Sequence, residues 1–143
     1  STVTLNVGMA QGITSNQPVL TLDGLLGKTA SVATEASVVH LITDRNFRLS
    51  VKVGAEGLRG ILQPLYGQRG EIIGIPPNSG IVPGDRVLTS GFSDIYPKNL
   101  PVGEVEEILN IPGEAYGRVR VRLYADPQNA EHVFVMVRND TGS

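Results

Sequence analysis

Two stretches of this 143-residue chain repeat each other in a single register. Ile73 and Ile75 stand 68 positions after Leu5 and Val7, Gly80-Ile81 stand 68 after Gly12-Ile13, and Val87-Leu88-Thr89 stand 68 after Val19-Leu20-Thr21. Farther on the spacing drifts while the order holds. Gly27-Lys28-Thr29 matches Gly103-Glu104-Val105, Leu41 to Asp44 matches Leu123 to Asp126, and Leu49 to Val53 matches Val133 to Val137. Apolar runs, turn glycines and a closing aspartate that recur together read as an internal duplication, so the chain must fold as two versions of one unit.

The unit is built of strands. Val3, Leu5 and Val7 alternate with Thr2, Thr4 and Asn6, and Leu49, Val51 and Val53 alternate with Arg48, Ser50 and Lys52. That period of two is the pattern of a half-buried strand. Further strands are expected over 18–22, 25–33, 37–43 and 59–62, then over 71–75, 85–89, 102–111, 118–124 and 132–138. With 17 glycines and 9 prolines and no sustained helical periodicity, short strands joined by tight turns are the only regular structure available. Five or six short strands per unit would leave exposed edges if flat, and closing each unit into a small barrel removes them. The expected fold is all-β, two small tandem β-barrels over residues 1–66 and 67–138, followed by a C-terminal tail over 139–143. One continuous β-sandwich is the alternative.

Composition excludes several kinds of chemistry. A formal net charge of −2 lacks the basic excess of a nucleic-acid surface. The chain has no cysteine, hence no disulfide framework and no thiolate metal site. Its two histidines, His40 and His132, and its scattered acids form no ligand-spaced cluster. No glycine run opens a helix that would cradle phosphate. Neither cofactor nor metal is expected. Tandem barrels are also the layout of chymotrypsin-like proteases, but His40 and Asp44 lie about 13 Å apart along an extended strand, too far for a base and its orienting carboxylate unless the chain turns sharply. His40 is expected to be a strand residue beside Val38 and Ile42.

Arg118, Arg120 and Arg122 line one face of a strand whose other face carries Val119, Val121 and Leu123. Glu104 and Glu106 alternate on the preceding strand, so a hairpin through Pro112-Gly113 sets opposite charges across from one another. That pairing is favoured over an anion-binding surface.

Residues 80–105 depart from the first unit. Where the first unit passes from Thr21 to Gly27 in a few residues, the second inserts a loop carrying Phe92, Ile95, Tyr96 and Leu100, held by Pro97 and Pro101. A purely solvated loop would be polar, so these side chains either pack on the barrel or meet a partner. They are the candidate partner-binding residues, and Ile61 to Tyr66 is a candidate seam between the barrels. Gly24, Gly84, Asp85, Gly91, Pro97 and Gly103 are read as turn residues that determine the fold.

The run Val82-Pro83-Gly84-Asp85-Arg86-Val87-Leu88-Thr89-Ser90-Gly91, followed by Tyr96-Pro97-Lys98-Asn99-Leu100-Pro101-Val102-Gly103-Glu104-Val105, resembles the signature of the bacterial rod-shape-determining MreC family. Gln17 to Thr21, Asp23 to Gly27, Leu41 to Asp44 and Gly57 to Leu62 fall in the family's order, and the likeness spans residues 3–138. Asn99 and Pro64 stand where that family usually has glycine. Asparagine is the best non-glycine visitor to left-handed backbone.

The resemblance implies a non-enzymatic scaffold of the cell-elongation machinery at the periplasmic face of the bacterial inner membrane. Its implied partners are an elongation-specific penicillin-binding transpeptidase that builds peptidoglycan, the MreD and MreB system, and further copies of itself as a homo-oligomer. It reaches the membrane through an N-terminal helix, preceding a coiled coil, that this chain does not contain, and it binds no nucleic acid. A degenerate chymotrypsin-like hydrolase and the barrel module of a periplasmic transport adaptor are the alternatives.

Overall fold

The computed structural model describes residues 2–137; the expected tail over 139–143 lies outside them. Among the described residues eleven strands follow one another: β1 (Thr2–Leu5), β2 (Pro18–Thr21), β3 (Leu25–Val32), β4 (Ser37–Leu41), β5 (Leu49–Val53), β6 (Leu58–Pro64), β7 (Arg69–Ile75), β8 (Arg86–Thr89), β9 (Pro101–Leu109), β10 (Gly117–Leu123) and β11 (Val133–Val135). A 3-10 turn, Met9–Gln11, follows β1. The chain is all-β, as expected.

Six strands close a barrel in the order β10-β7-β6-β5-β8-β9, while the other five form an open sheet in the order β1-β4-β3-β2-β11. Two β units are present, but the one built mostly from the first repeat is an open sheet and not a closed barrel. No strand bridges β11 and β1 among the described residues as β6 bridges β5 and β7 in the barrel.

Strand pairing also groups the chain otherwise than the sequential division at 66 and 67. β5 and β6 precede that boundary yet belong to the barrel, and β11 follows it yet completes the open sheet. The duplication explains why. β1, β2, β3, β4 and β11 take the places of β7, β8, β9, β10 and β5, neighbour for neighbour. Val133 faces Thr21 and Val135 faces Val19, as Val51 faces Thr89 and Val53 faces Val87. Each repeat therefore gives its fifth strand to the other. The β2–β3 and β8–β9 ladders even share a bulge at the same station, after Val19 and after Val87.

The barrel interior follows from alternation. Leu49, Val51 and Val53 of β5 and Val119, Val121 and Leu123 of β10 are buried, with Leu62, Ile72, Ile75, Val87, Val102 and Val105 from the remaining strands. The open sheet has a smaller core of Val19, Leu26, Val39, Leu41 and Ala125. Adjacent residues of β3 point to opposite faces, so Leu26 serves that core while Leu25, fully buried, joins the barrel's. Leu20, Leu25, Ile42 and Phe47 thereby form the seam with the barrel. The expected seam at 61–66 is instead part of a barrel hairpin, with Ile61 and Leu65 about two-fifths exposed and Tyr66 67% exposed. Burying about 25 cal/mol per Å² of apolar surface favours the seam that removes whole side chains from water.

Candidate interaction surface

Thr89 organises the loop over residues 90–100. Its hydroxyl donates to the Pro97 carbonyl at 2.6 Å and accepts from the Leu100 N–H at 2.8 Å, while its backbone bonds Leu100 and Asn99. Thr21 does the same in the shorter turn of the first unit, where its hydroxyl accepts from the N–H groups of Asp23 and Gly24. Asn99 has φ 72, the left-handed geometry expected of it. Gly91 has φ +79, and a Cβ there would lie 2.7 Å from the Lys98 Cβ.

Pinned in this way, the loop turns most of its apolar side chains inward. Tyr96 is 6% exposed and its ring lies 6.4 Å from that of Phe47. Its hydroxyl is buried with no hydrogen-bond partner among the described residues, and burial pushes its pKa up. Ile95 and Leu100 pack partly buried against the same core. Only Phe92 of the four stands out, 75% exposed on a backbone N–H held by the Ser90 hydroxyl.

The proposed turn residues divide similarly. Gly84 and Asp85 sit in a turn where the Gly84 N–H bonds the Val105 carbonyl and the Asp85 carboxylate accepts from the Val82 N–H. Gly24 closes the Thr21 turn against the Pro101 carbonyl, 2.9 Å from where a Cβ would stand, and the Pro97 carbonyl receives the Thr89 hydroxyl. Gly103 lies inside β9 instead of at a turn, opposite Leu123.

The arginine face of β10 is an ion-pair array. Arg122 pairs with Glu104, Arg120 with Glu107 at 3.1 Å, and Arg118 with Glu114 at 2.6 Å, beside the buried Glu71 at 3.8 Å. The hydrogen bonds Arg118 donates to Glu114, and that carboxylate's charge, push the Arg118 pKa further up. A bulge in β9 places Glu106 out of line, and it pairs with Arg69 at 2.8 Å.

His40 and Asp44, expected to be far apart, touch: Nε2 to Oδ2 is 2.6 Å. β4 ends at Leu41, and the Asp44 N–H bonds the Leu41 carbonyl, a turn that folds the carboxylate back. His40 also meets the edge of Phe47, 5.1 Å between ring centroids. Among the described residues no serine hydroxyl hydrogen-bonds a histidine; the close serine pair is Ser50 with Ser90, 2.8 Å apart. No group of three or more His, Cys, Asp or Glu among them is placed to hold a metal.

Two exposed features escaped the sequence reading. Leu22, at the tip of the Thr21 turn, is 76% exposed. On the barrel, Lys52 and Arg59 stand directly opposite each other in the β5–β6 ladder. The alternation that places Lys52 outside was legible, but its cross-strand partner was not.

A closed six-stranded barrel joined to a five-stranded sheet by strand exchange defines an all-β module of two related units. The chain belongs to the MreC family: residues 1–137 match the family model for rod shape-determining protein MreC, barrel core. It is 33% identical over 135 residues to the cell shape-determining protein MreC of Caulobacter vibrioides, covering 94% of this chain and 37% of that protein. The crystal structure of MreC from Pseudomonas aeruginosa superposes with a TM-score of 0.90 at 27% identity, covering 94% of this chain and 88% of that one. A complex between penicillin-binding protein PBP2 and MreC from Helicobacter pylori matches with a TM-score of 0.74 at 23% identity, covering 96% and 88%, a likeness of fold alone. The chain spans between 37% and 51% of the length of the curated relatives it matches.

Proposed function

We propose that this chain is the periplasmic barrel portion of a non-catalytic scaffold that maintains rod shape by binding a peptidoglycan-synthesising penicillin-binding protein at the inner membrane. Membership of the MreC family across residues 1–137 carries this reading, and a relative of the same fold that is known in complex with PBP2 supports it. The connection to MreD and MreB, self-association and anchoring by a preceding membrane helix belong to the same proposal. Phe92 is the contact assigned to a partner from the loop, because its ring is left in water while Tyr96 is buried and Ile95 and Leu100 are partly buried.

The test is in-cell cross-linking of the full-length protein together with complementation of rod shape. Cross-links between the barrels and the elongation transpeptidase, with rod shape restored, support the scaffold. Absence of association together with failure to restore rod shape refutes it.

A further inference from the structure

The two halves of the barrel wall are charged differently. On β7, β9, β10 and the adjoining turn, four arginines (69, 118, 120 and 122) meet five glutamates (71, 104, 106, 107 and 114) and every arginine is paired. On β6, β5 and β8 the cations Arg59, Lys52 and Arg86 form no ion pair among the described residues. Lys52 faces Arg59 across one ladder and Leu88 across the other. Arg86 shares a shallow depression with Lys52 and Leu88, its carbonyl receiving the Gly54 N–H. Glu56 and Asp85 rim that depression, but the Asp85 carboxylate is turned to the Val82 N–H. Glu104, opposite Arg86 in register, is taken by Arg122.

Like charges directly opposed in a sheet are destabilising. A fold that neutralises one wall and leaves cations facing each other on the next has an unmet electrostatic demand there, and such departures from local consistency concentrate at functional sites. The next row of the same face is apolar: Ile61 opposes Ile73, both about 40% exposed. We infer that the β6–β5–β8 face is a docking surface for an acidic polypeptide segment with interspersed apolar side chains, its carboxylates over Arg59, Lys52 and Arg86 and its apolar groups over Ile61 and Ile73.

Two observations select a peptide over a membrane. Each Lys or Arg near an anionic bilayer contributes only about 1 kcal/mol, so three cations give weak adhesion. The isoleucines stand within paired strands of the barrel wall, about 40% exposed, and not on a loop that could insert as a wedge. The barrel is closed, with no free strand edge there, so the segment is recognised through its side chains and not by strand addition. This surface does not depend on the transpeptidase reading, and its occupant is defined by carboxylates matched to the three cations and apolar groups matched to the two isoleucines.

The test titrates the chain with a fluorescently labelled peptide repeating Glu-Leu-Glu-Ser, with the matching Lys-Leu-Lys-Ser peptide as control, and in parallel with phosphatidylglycerol vesicles. The acidic peptide is expected to bind in a salt-sensitive manner, the basic one not at all. Lys52→Glu is expected to weaken binding by about tenfold or more. Because the substitution places opposite charges across the ladder, its thermal midpoint stays at or above the parent's, which separates loss of the surface from loss of the fold. Undetectable binding to the parent chain, or unchanged affinity in Lys52→Glu, overturns the proposal. So does tighter binding to vesicles than to peptide that Lys52→Glu abolishes, which would assign the face to lipid.

Discussion

Gly27 and Gly103 occupy the same station in the two repeats, each pressed against a backbone carbonyl of the neighbouring strand. A Cβ on Gly27 would lie 2.1 Å from the His40 oxygen, and one on Gly103 would lie 2.3 Å from the Arg122 oxygen. Neither neighbour is a flexible side-chain end that could swing away. Gly27→Ala and Gly103→Ala are each expected to destabilise the chain by about 3 kcal/mol, the upper end of ordinary overpacking, as measured by urea denaturation. A change below about 0.5 kcal/mol, the size of a neutral surface substitution, would show that the ladders separate at no cost.

Tyr96 and Phe92 lie four residues apart in one loop and should respond in opposite ways. Tyr96→Asp places a carboxylate in the core and is expected to cost at least the roughly 3–5 kcal/mol of deleting a buried aromatic. Phe92→Asp should stay within about 0.5 kcal/mol of the parent. The unpartnered Tyr96 hydroxyl adds a sharper case: Tyr96→Phe removes a buried polar atom without opening a cavity, so it should leave stability equal or raise it by about 1 kcal/mol. Thermal melts of the three variants decide it, and a destabilised Tyr96→Phe would reveal a partner for that hydroxyl.

The His40–Asp44 contact predicts an acid-sensitive component of stability. Desolvation raises the Asp44 pKa, but the hydrogen bond from His40 and the Asn46 backbone bond are among the effects that outweigh it, leaving the value below the ordinary 3.8. A carboxylate with a depressed folded pKa contributes stability that is fully present above its unfolded value and is lost as pH falls through the folded one. The denaturant midpoints of the parent and Asp44→Asn should therefore differ above about pH 4 and converge below it. Parallel curves down to the lowest pH would remove Asp44 from this role.

Local pattern made the strands legible. Leu49 to Val53 and Arg118 to Leu123 alternate so cleanly that inside and outside follow from spacing, and the Arg–Glu face of β10 follows with them. The duplication register proved topological as well: Val19 to Thr21 and Val87 to Thr89 lie in equivalent strands with equivalent bulges. Pairing between distant strands was illegible, because β5 presents the same apolar face to either sheet and only three-dimensional adjacency decides which it joins. The alignment of Leu49 with Val133 was two residues out for the same reason, since β11 sets Val133 where Val51 stands. His40 and Asp44 meet because the strand expected over 37–43 stops at Leu41 and turns, a stop that no proline or glycine marks. The apolar content of the loop was visible, but Phe92 and Tyr96 look alike in sequence, and only the Thr89 pins decide which ring enters the core.

The exchanged fifth strands impose an order of assembly. During synthesis the first four strands emerge early, yet their sheet lacks its last member until Val133–Val135 is made, after every strand of the barrel. The half that is born first is thus finished last. A cut anywhere between the repeats separates each sheet from a strand it needs, so neither half is a portable domain, and the earliest part of the chain waits on the latest for its completion.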